Sequence, residues 1–496
     1  MTRTFIRIAS VVLLVCLLTA NVSFAAESQA NNEASVDMEY LKSVMDMIKE
    51  RYKDPVTDKQ LIEGAINGMF GTMDKYTDYY NNTEAESLFT NIEGTYAGIG
   101  VRIISDSGYI CIVEVFKSST AEKAGIIKGD IIVKVNGQSI EGKTGDEASQ
   151  LIKGKEGTKV KLEIQRVGYK DNLNIEVERA NVKVDPVIYN IKDDIGYIKL
   201  DMFNSNSNYY MTKALYEINT NKITKLILDL RDNPGGEVDQ VVKIAKNFVP
   251  KGLITKLNFK SDRVKDEEYY SDNTDLKYKL VVLVNESSAS ASEILAGAIQ
   301  DTGSGVLVGT KTYGKGKVQN IYPVLSPAAY KKYEDKFGVK IVDGYDLYKH
   351  GLTPADDEII GWTKITTGEY YTPKGRMIDG IGLQPDYYVE NKYLQNEVDI
   401  RNVDSLSKTI KPVKNDKSLD VYNAEKLLKF LGYNINKPDI TFDKESEAAV
   451  YKFQKDNALF PYGVLDFTTQ QALNNKLEKL LSEYDNQMAK ALELLK

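Results

Sequence analysis

The chain has 496 residues, 42% of them hydrophobic, with 64 basic against 71 acidic side chains and a formal net charge of −7. That length and apolar content support two to four packed domains, and an acidic balance with no long basic run argues against nucleic acid as a partner. One histidine, His350, and two cysteines, Cys16 and Cys111, cannot assemble a Cys/His zinc cluster, and no metal or other cofactor is expected.

Residues 1–26 carry Arg3 and Arg7 ahead of an apolar stretch, Ile8 to Ala20, and then Ser23-Phe24-Ala25, a small-x-small cleavage pattern. They read as a signal peptide or N-terminal anchor, so the chain is expected to be exported, secreted or held on the outer side of the cytoplasmic membrane. Cleavage would leave Cys111 as the one thiol, with no internal disulfide. Glu27 to Ala34 are polar and are expected to be disordered. Leu41, Val44, Met45 and Ile48 fall at helical spacing within Met38 to Tyr52, and Leu61, Ile62, Ala65, Ile66 and Met69 do so within Asp58 to Met73. This helical arm, residues 37–90, shows no catalytic constellation and is read as a packing or dimerisation element.

Gly94-Thr95-Tyr96-Ala97-Gly98-Ile99-Gly100-Val101 places glycines where successive backbone N–H groups can converge on an anion. A strand follows, and its edge can pair with an extended peptide. Ala121 to Asp130 reads as a short helix and turn, Ile131 to Val135 as a strand, Val135-Asn136-Gly137 as a hairpin, and Asp146 to Lys153 as a helix with Ala148, Leu151 and Ile152 inward. Residues 94–180 resemble a PDZ domain. The resemblance makes Gly98, Ile99, Gly100 and Val101 the peptide-binding loop, with the free C-terminal tail of a protein or peptide as ligand. Arg166, at the end of the strand Val160 to Gln165, is read as a surface charge, with contact to the next domain as the second reading.

Residues 187–390 alternate strand and helix patterns. Ile195 to Leu200 and Lys225 to Leu230 are strand-like, and Asp229 to Gly236 then opens a helix, Val238 to Phe248. An apolar strand, Leu280 to Val284, runs into the small-residue turn Ser287-Ser288-Ala289-Ser290-Ala291-Ser292 and an amphipathic helix, Ala291 to Gln300. Such a junction holds a hydroxyl above the sheet with the helix's first free N–H groups beside it. A second strand, Gly305 to Thr310, leads to Gly314-Lys315-Gly316. With His350 remote from any serine-rich turn, lysine remains as the base, since burial can bring a lysine toward neutrality near pH 7.

The strings Ser288-Ala289-Ser290-Ala291-Ser292-Glu293-Ile294 and Gly314-Lys315-Gly316-Lys317-Val318-Gln319 resemble the signature of the carboxyl-terminal processing (tail-specific) serine peptidases. The resemblance implies Ser290 as nucleophile, Lys315 as base and Gln319 as the residue that orients the lysine. It also implies an oxyanion site made by the N–H of Gly235 or Gly236 together with that of Ala291. Asp74 to Tyr80 resembles the family's usual end to the arm, and Tyr371 to Arg376 with Asp379 to Asp386 its closing motif. The stretch about 323–361 is longer than the family leads one to expect. It is read as a helix, Ser326 to Phe337, followed by a loop-rich segment, Ile341 to Gly361, serving as a lid or as a passive insertion.

Residues 391–417 are polar and read as a linker. Residues 418–480 form a small helical domain in which Glu447 to Asp456 and Gly463 to Asp466 resemble peptidoglycan-binding domains, with cell wall or a second copy of the chain as the partner. The expected fold class is α/β multidomain: an α/β serine protease core with an inserted PDZ domain, an N-terminal helical arm and a small helical C-terminal domain. The expected function is a Ser-Lys endopeptidase. The competing reading is a non-catalytic envelope scaffold that holds peptides and cell wall.

Overall fold

The computed structural model describes residues 38–106, 108–261, 264–338 and 344–496. The signal segment and the polar stretch after it lie outside the described residues. The chain divides into two compact units, at Thr72/Met73. The first contributes α1 (Met38–Arg51) and α2 (Asp58–Gly71). Thr57 caps α2 through its side chain, and Gln60 returns the bond, a reciprocal start that satisfies two orphan donors. Neither helix has a buried residue, and Met38, Tyr40, Met47, Ile62 and Met69 are exposed.

The second unit begins with β1 (Asp78–Asn81) and α3 (Asn82–Glu93). It continues through β2 (Thr95–Gly98), β3 (Val101–Asp106), β4 (Tyr109–Val115), the short α4 (Thr120–Lys123), β5 (Ile131–Val135), β6 (Gln138–Ser139), α5 (Gly145–Ile152), β7 (Lys159–Gln165), β8 (Leu173–Glu178) and β9 (Ala180–Lys183). Strands β3-β4-β5-β7-β8 form one sheet in that order, with β6 on β5, so β3 is an open edge. Asn136 and Gly137 both take positive φ, which closes the β5–β6 hairpin as the Asn-Gly pair predicts. Arg166 departs from both of its sequence readings. Its guanidinium forks onto Asp130 with two bonds of 2.7 Å and reaches the carbonyl of Gly125. Asp130 is fully buried, and its side chain takes both prongs of this fork, so Arg166 braces its own domain.

The core follows with β10 (Val187–Lys192), β11 (Ile195–Leu200), α6 (Ser207–Thr220), β12 (Lys225–Asp229), α7 (Val238–Ala245), β13 (Gly252–Phe259), β14 (Glu267–Ser271), β15 (Lys279–Val284), α8 (Ala291–Thr302), β16 (Val306–Gly309), β17 (Lys317–Leu325), α9 (Pro327–Phe337), α10 (Gly344–Lys349), β18 (Ile359–Tyr371) and β19 (Tyr387–Tyr388). The central sheet runs β10-β11-β12-β15-β16-β19, parallel except for the antiparallel pair β10–β11. Its middle strand β15 shows why it is buried on both faces. Leu280, Val282 and Val284 join the main core under α6, α7 and α8, while Val281 and Leu283 join a second cluster on the opposite face.

That second cluster is closed from the far end of the chain. After α11 (Leu419–Phe430), α12 (Lys444–Asp456) and α13 (Phe467–Tyr484), the last helix α14 (Asn486–Leu495) returns to the sheet and packs Ala491 and Leu495 on Ile227, Val281, Leu283 and Val308. The segment expected as a linker is also packed, since Ile400, Val403 and Leu406 enter the core of the C-terminal bundle. These three side chains are evenly spaced, but they sit among polar residues around a single 3-10 turn, Ile400–Asn402, so no pattern of helix or strand length announces them.

The insertion differs from its sequence reading as well. Instead of a loop up to Gly361, the chain forms α10 and then the long strand β18, which starts at Ile359 and pairs antiparallel with β17. Residues 339–343 lie outside the described residues. Leu325, Ala329, Tyr333 and Leu347 give this hairpin tip a small core, and His350 stacks on Phe337.

Candidate active site

Strand β15 ends at Val284, and the turn that follows is pinned to the loop after β12. Ser288 Oγ donates to the carbonyl of Leu230 (2.8 Å) and Ser292 Oγ to that of Asn233 (3.0 Å), while Ala289 N–H also donates to Asn233 O (3.0 Å). Both outer serines are fully buried. Ser290 lies between them, partly exposed, and among the described residues its hydroxyl makes no such tie to the loop after β12. Its φ of 56° and ψ of −117° put a non-glycine residue in a strained conformation at the head of α8.

Glu293 joins this turn to the lysine loop. Its fully buried carboxylate accepts the N–H of Ser290 (3.0 Å) and of Lys315 (2.9 Å) on Oε2, and the N–H of Gly314 (2.8 Å) and the hydroxyl of Thr312 (2.6 Å) on Oε1. Two backbone segments far apart in sequence are thereby held within the span of two hydrogen bonds to one oxygen. Burial raises the Glu293 carboxyl above its ordinary value, and the four donors act against that rise. The hydroxyl of Tyr370, on β18, lies against the carbonyls of both Ser290 and Lys315 and locks the same pair from the other side.

The Lys315 amine has no carboxylate in ion-pair range among the described residues, whereas Lys317 pairs with Glu369 and Asp379. Burial pushes Lys315 below the ordinary lysine value, and the charge of Lys364 adds to the effect, while Tyr313, Asp74 and Glu293 act in the opposite sense. The amine sits over the ring of Tyr76, 4.9 Å from its centroid. Lys75 Nζ donates to Tyr313 Oη at 2.7 Å beside it. Gln319 Nε2 donates to Thr366 Oγ1 at 3.3 Å. No hydrogen bond joins the Lys315 side chain to Gln319 or to Ser290 among the described residues.

The glycines after β12 meet this turn closely. A Cβ on Gly235, whose φ is 101°, would stand 2.7 Å from Ser290 Cβ and 2.7 Å from the carbonyl of Ala289. The N–H of Gly235 is committed to Asn233 Oδ1 (2.9 Å), but those of Gly236 and Ala291 meet no acceptor among the described residues. Asp232 and Arg231 brace the loop. Asp232 exchanges bonds with Asn285, and Arg231 is forked onto Asp229 and held by Asp485 (2.8 Å) and Gln487 at the start of α14.

In the PDZ-like domain, Gly98, Ile99 and Gly100 lie beside the open edge β3, which Val101 begins. The carbonyls of Ile99 and Gly100 accept from Ala121 and Phe116, and their N–H groups meet no acceptor among the described residues. Gly100 has φ 81°, and a Cβ on it would stand 2.4 Å from Ser119 Cβ, so no larger residue fits.

Sequence reasoning brought Ser290, Lys315 and the two glycines to this place but passed over Glu293, Tyr76, Lys364 and Tyr370. The signal for Glu293 was present: a serine followed three residues later by a glutamate marks a helix start whose carboxylate faces back. Tyr76 and Tyr370 carry no local signal, because each arrives by strand pairing. Thr77 bonds Thr366, and β1 lies along β18.

Comparison with known proteins places the chain in a class. Peptidase family S41, a serine protease family, matches residues 194–389, the PDZ domain matches 112–166, the putative peptidoglycan binding domain 417–473, and the activating protease CtpB N-terminal domain 17–84. Carboxy-terminal processing protease CtpA of Bacillus subtilis (strain 168) is 33% identical over 486 residues, spanning 97% of this chain and 95% of that protein. CtpB of the same strain is 32% identical over 479 residues, spanning 93% and 89%. Among solved structures, the photosystem II D1 C-terminal processing protease aligns with a TM-score of 0.39 at 24% identity, covering 70% of this chain and 86% of that one. The chain belongs to the carboxy-terminal processing serine proteases of family S41.

Proposed function

We propose that this protease cleaves proteins captured by their C-terminal tails, with Ser290 as nucleophile and Lys315 as general base. The observation that carries the reading is the shared Glu293 oxygen, which fixes the backbones of both residues to one point. Neutral Lys315 takes the Ser290 Oγ proton as Oγ bonds to the scissile carbonyl carbon. Lys315 then gives that proton to the departing amine as the C–N bond breaks, leaving an ester on Ser290. Water attacks the ester, Lys315 takes its proton, and the proton returns to Oγ as the acid leaves.

The carbonyl oxygen turns negative in both steps. The free N–H groups of Gly236 and Ala291 are the donors that suit it, with Gly235 supplying the close approach rather than the hydrogen bond. Gln319 steadies Lys315 once the amine leaves the ring of Tyr76 and its own amide leaves Thr366. The loop Gly98 to Val101 takes the substrate's C-terminal carboxylate, and β3 receives the preceding residues as an added strand. The exposed apolar side chains of α1 and α2 suit pairing with a second copy of the chain. The C-terminal bundle suits cell wall or that second copy, and residues 1–26 suit export.

The test is cleavage of an unfolded protein substrate. Wild type is expected to cut it, Ser290→Ala to lose roughly 10⁶ in rate while still binding peptide, and Lys315→Ala to be comparably inactive. An active Lys315→Ala enzyme overturns the dyad. A wild-type enzyme that binds tails and cuts nothing leaves the scaffold reading in its place.

A further inference from the structure

Lys153 stands at the mouth of the peptide groove, directly after α5. The next residue, Gly154, donates its N–H to the carbonyl of Ala97, so the end of α5 is tied to the loop that offers the free N–H groups of Ile99 and Gly100. Lys153, Ile152 and Ser149 line one side of a cavity of about 40 Å³, and the loop from Tyr96 to Val101 lines most of the rest. The cavity is too small for the last residue of a peptide, because the ring of Tyr96 lies on Gly98: a Cβ there would come within 2.6 Å of it.

The amine of Lys153 is 4.9 Å from the centroid of that ring. It has no carboxylate in ion-pair range among the described residues, and Asp146, on α5, acts on it only from a distance. Burial lowers Lys153 from the ordinary lysine value. A desolvated cation resting on an aromatic face, beside two unpaired N–H groups and an open strand edge, matches a carboxylate that the groove does not itself contain.

We propose that Lys153 is a specificity-determining residue, pairing its ammonium with the terminal carboxylate of an extended peptide whose oxygens also accept the N–H groups of Ile99 and Gly100. The inference rests on the tail-capture reading of this domain. Entry of the tail draws Lys153 off the Tyr96 ring and lets the ring swing clear, which opens the room the last side chain needs. The peptide's identity matters less at this point than its free acid, which the amine and the two N–H groups recognise together.

The full chain carrying Ser290→Ala, which cannot cut, is titrated with one fluorescent apolar-tailed peptide made both as free acid and as C-terminal amide. The free acid is expected to bind roughly ten-fold more tightly than the amide, with the gap narrowing as salt rises. Adding Lys153→Gln should collapse that gap to within about two-fold while leaving the amide's affinity where it was, which also shows that the domain is folded. Lys153→Arg should keep the preference. A Lys153→Gln protein that retains the full preference for the acid overturns the inference and leaves tail capture standing. Binding of neither peptide to the Lys153-containing protein overturns both.

Discussion

Glu293 and Lys315 are joined by a 2.9 Å hydrogen bond from the lysine's N–H to Oε2, the oxygen that also receives the N–H of Ser290. A glutamine in place of Glu293 has one acceptor oxygen and one amide that only donates, so two of the four donors would face a donor. Each buried unsatisfied group costs about 1–3 kcal/mol. Glu293→Gln is therefore expected to lower the melting temperature and to reduce kcat more than it raises KM. Glu293→Asp should fail similarly because the shorter side chain cannot reach both loops. Steady-state kinetics with thermal melts of each variant check this.

In the proposed mechanism Lys315 serves as a base only when neutral. Its pKa lies below the ordinary 10.5 because of burial first and Lys364 second, so kcat/KM should rise with pH along a limb centred below that value. The folded state then binds fewer protons than the unfolded one between the lowered value and 10.5, so stability rises with pH across that window. Lys315→Met, which removes the desolvated cation, should abolish cleavage and leave the melting temperature at neutral pH unchanged or higher. A pH–rate profile and calorimetry measure the two halves separately.

Tyr76 covers the same amine. Tyr76→Phe keeps the ring face and should leave the limb in place. Tyr76→Ala admits water to Lys315, and since burial is the largest cause of its lowered pKa, the limb should move upward. A merely structural tyrosine would lower the amount of active enzyme without moving the limb.

Gly235→Ala would place a methyl 2.7 Å from Ser290 Cβ at a φ of 101°. The strain is worth about 1–3 kcal/mol, and displacing the turn relative to its N–H donors should cost roughly 10²–10³ in kcat. Peptide binding, measured by fluorescence on the Ser290→Ala background, should be unaffected.

In the C-terminal bundle, burial pushes the Glu425 carboxyl up to about 8, with Ser446 Oγ and the N–H of Asp439 donating to it. Between the ordinary carboxyl value of 4.5 and about 8 the unfolded chain has lost this proton and the folded one keeps it. The stability this group contributes is complete below that window and falls as pH rises through it. Glu425→Gln should flatten the decline in melting temperature across that same window, read as the difference from wild type.

Much of the site could be read from the chain itself. The apolar run of β15, the serine-rich turn and the glycine-flanked lysine are each contiguous, and local geometry is what contiguous residues specify. The order of strands and helices, and the PDZ-like module with its Asn-Gly hairpin, were legible for the same reason. Arg166 was not, because a charge at a strand end reads alike whether it meets solvent or a buried carboxylate 36 residues away. Residues 391–417 read as linker because Ile400, Val403 and Leu406, though three apart, lie among polar residues around a single short turn, and only the packing of the bundle buries them.

The order of residues along the chain dictates which chemical groups the protein owns: one serine at the head of a helix, one glycine-flanked lysine, almost no imidazole, and a glycine-rich loop ahead of a strand. What stands around those groups comes from the folded arrangement alone. Tyr76 reaches Lys315 through the pairing of β1 with β18, Arg231 is held by Asp485 because α14 returns to cover the second face of the sheet, and Lys153 meets Tyr96 because α5 closes on the loop. Burial, which lowers both lysines from their ordinary value, is a property of what packs against a residue and not of the residues beside it in the chain.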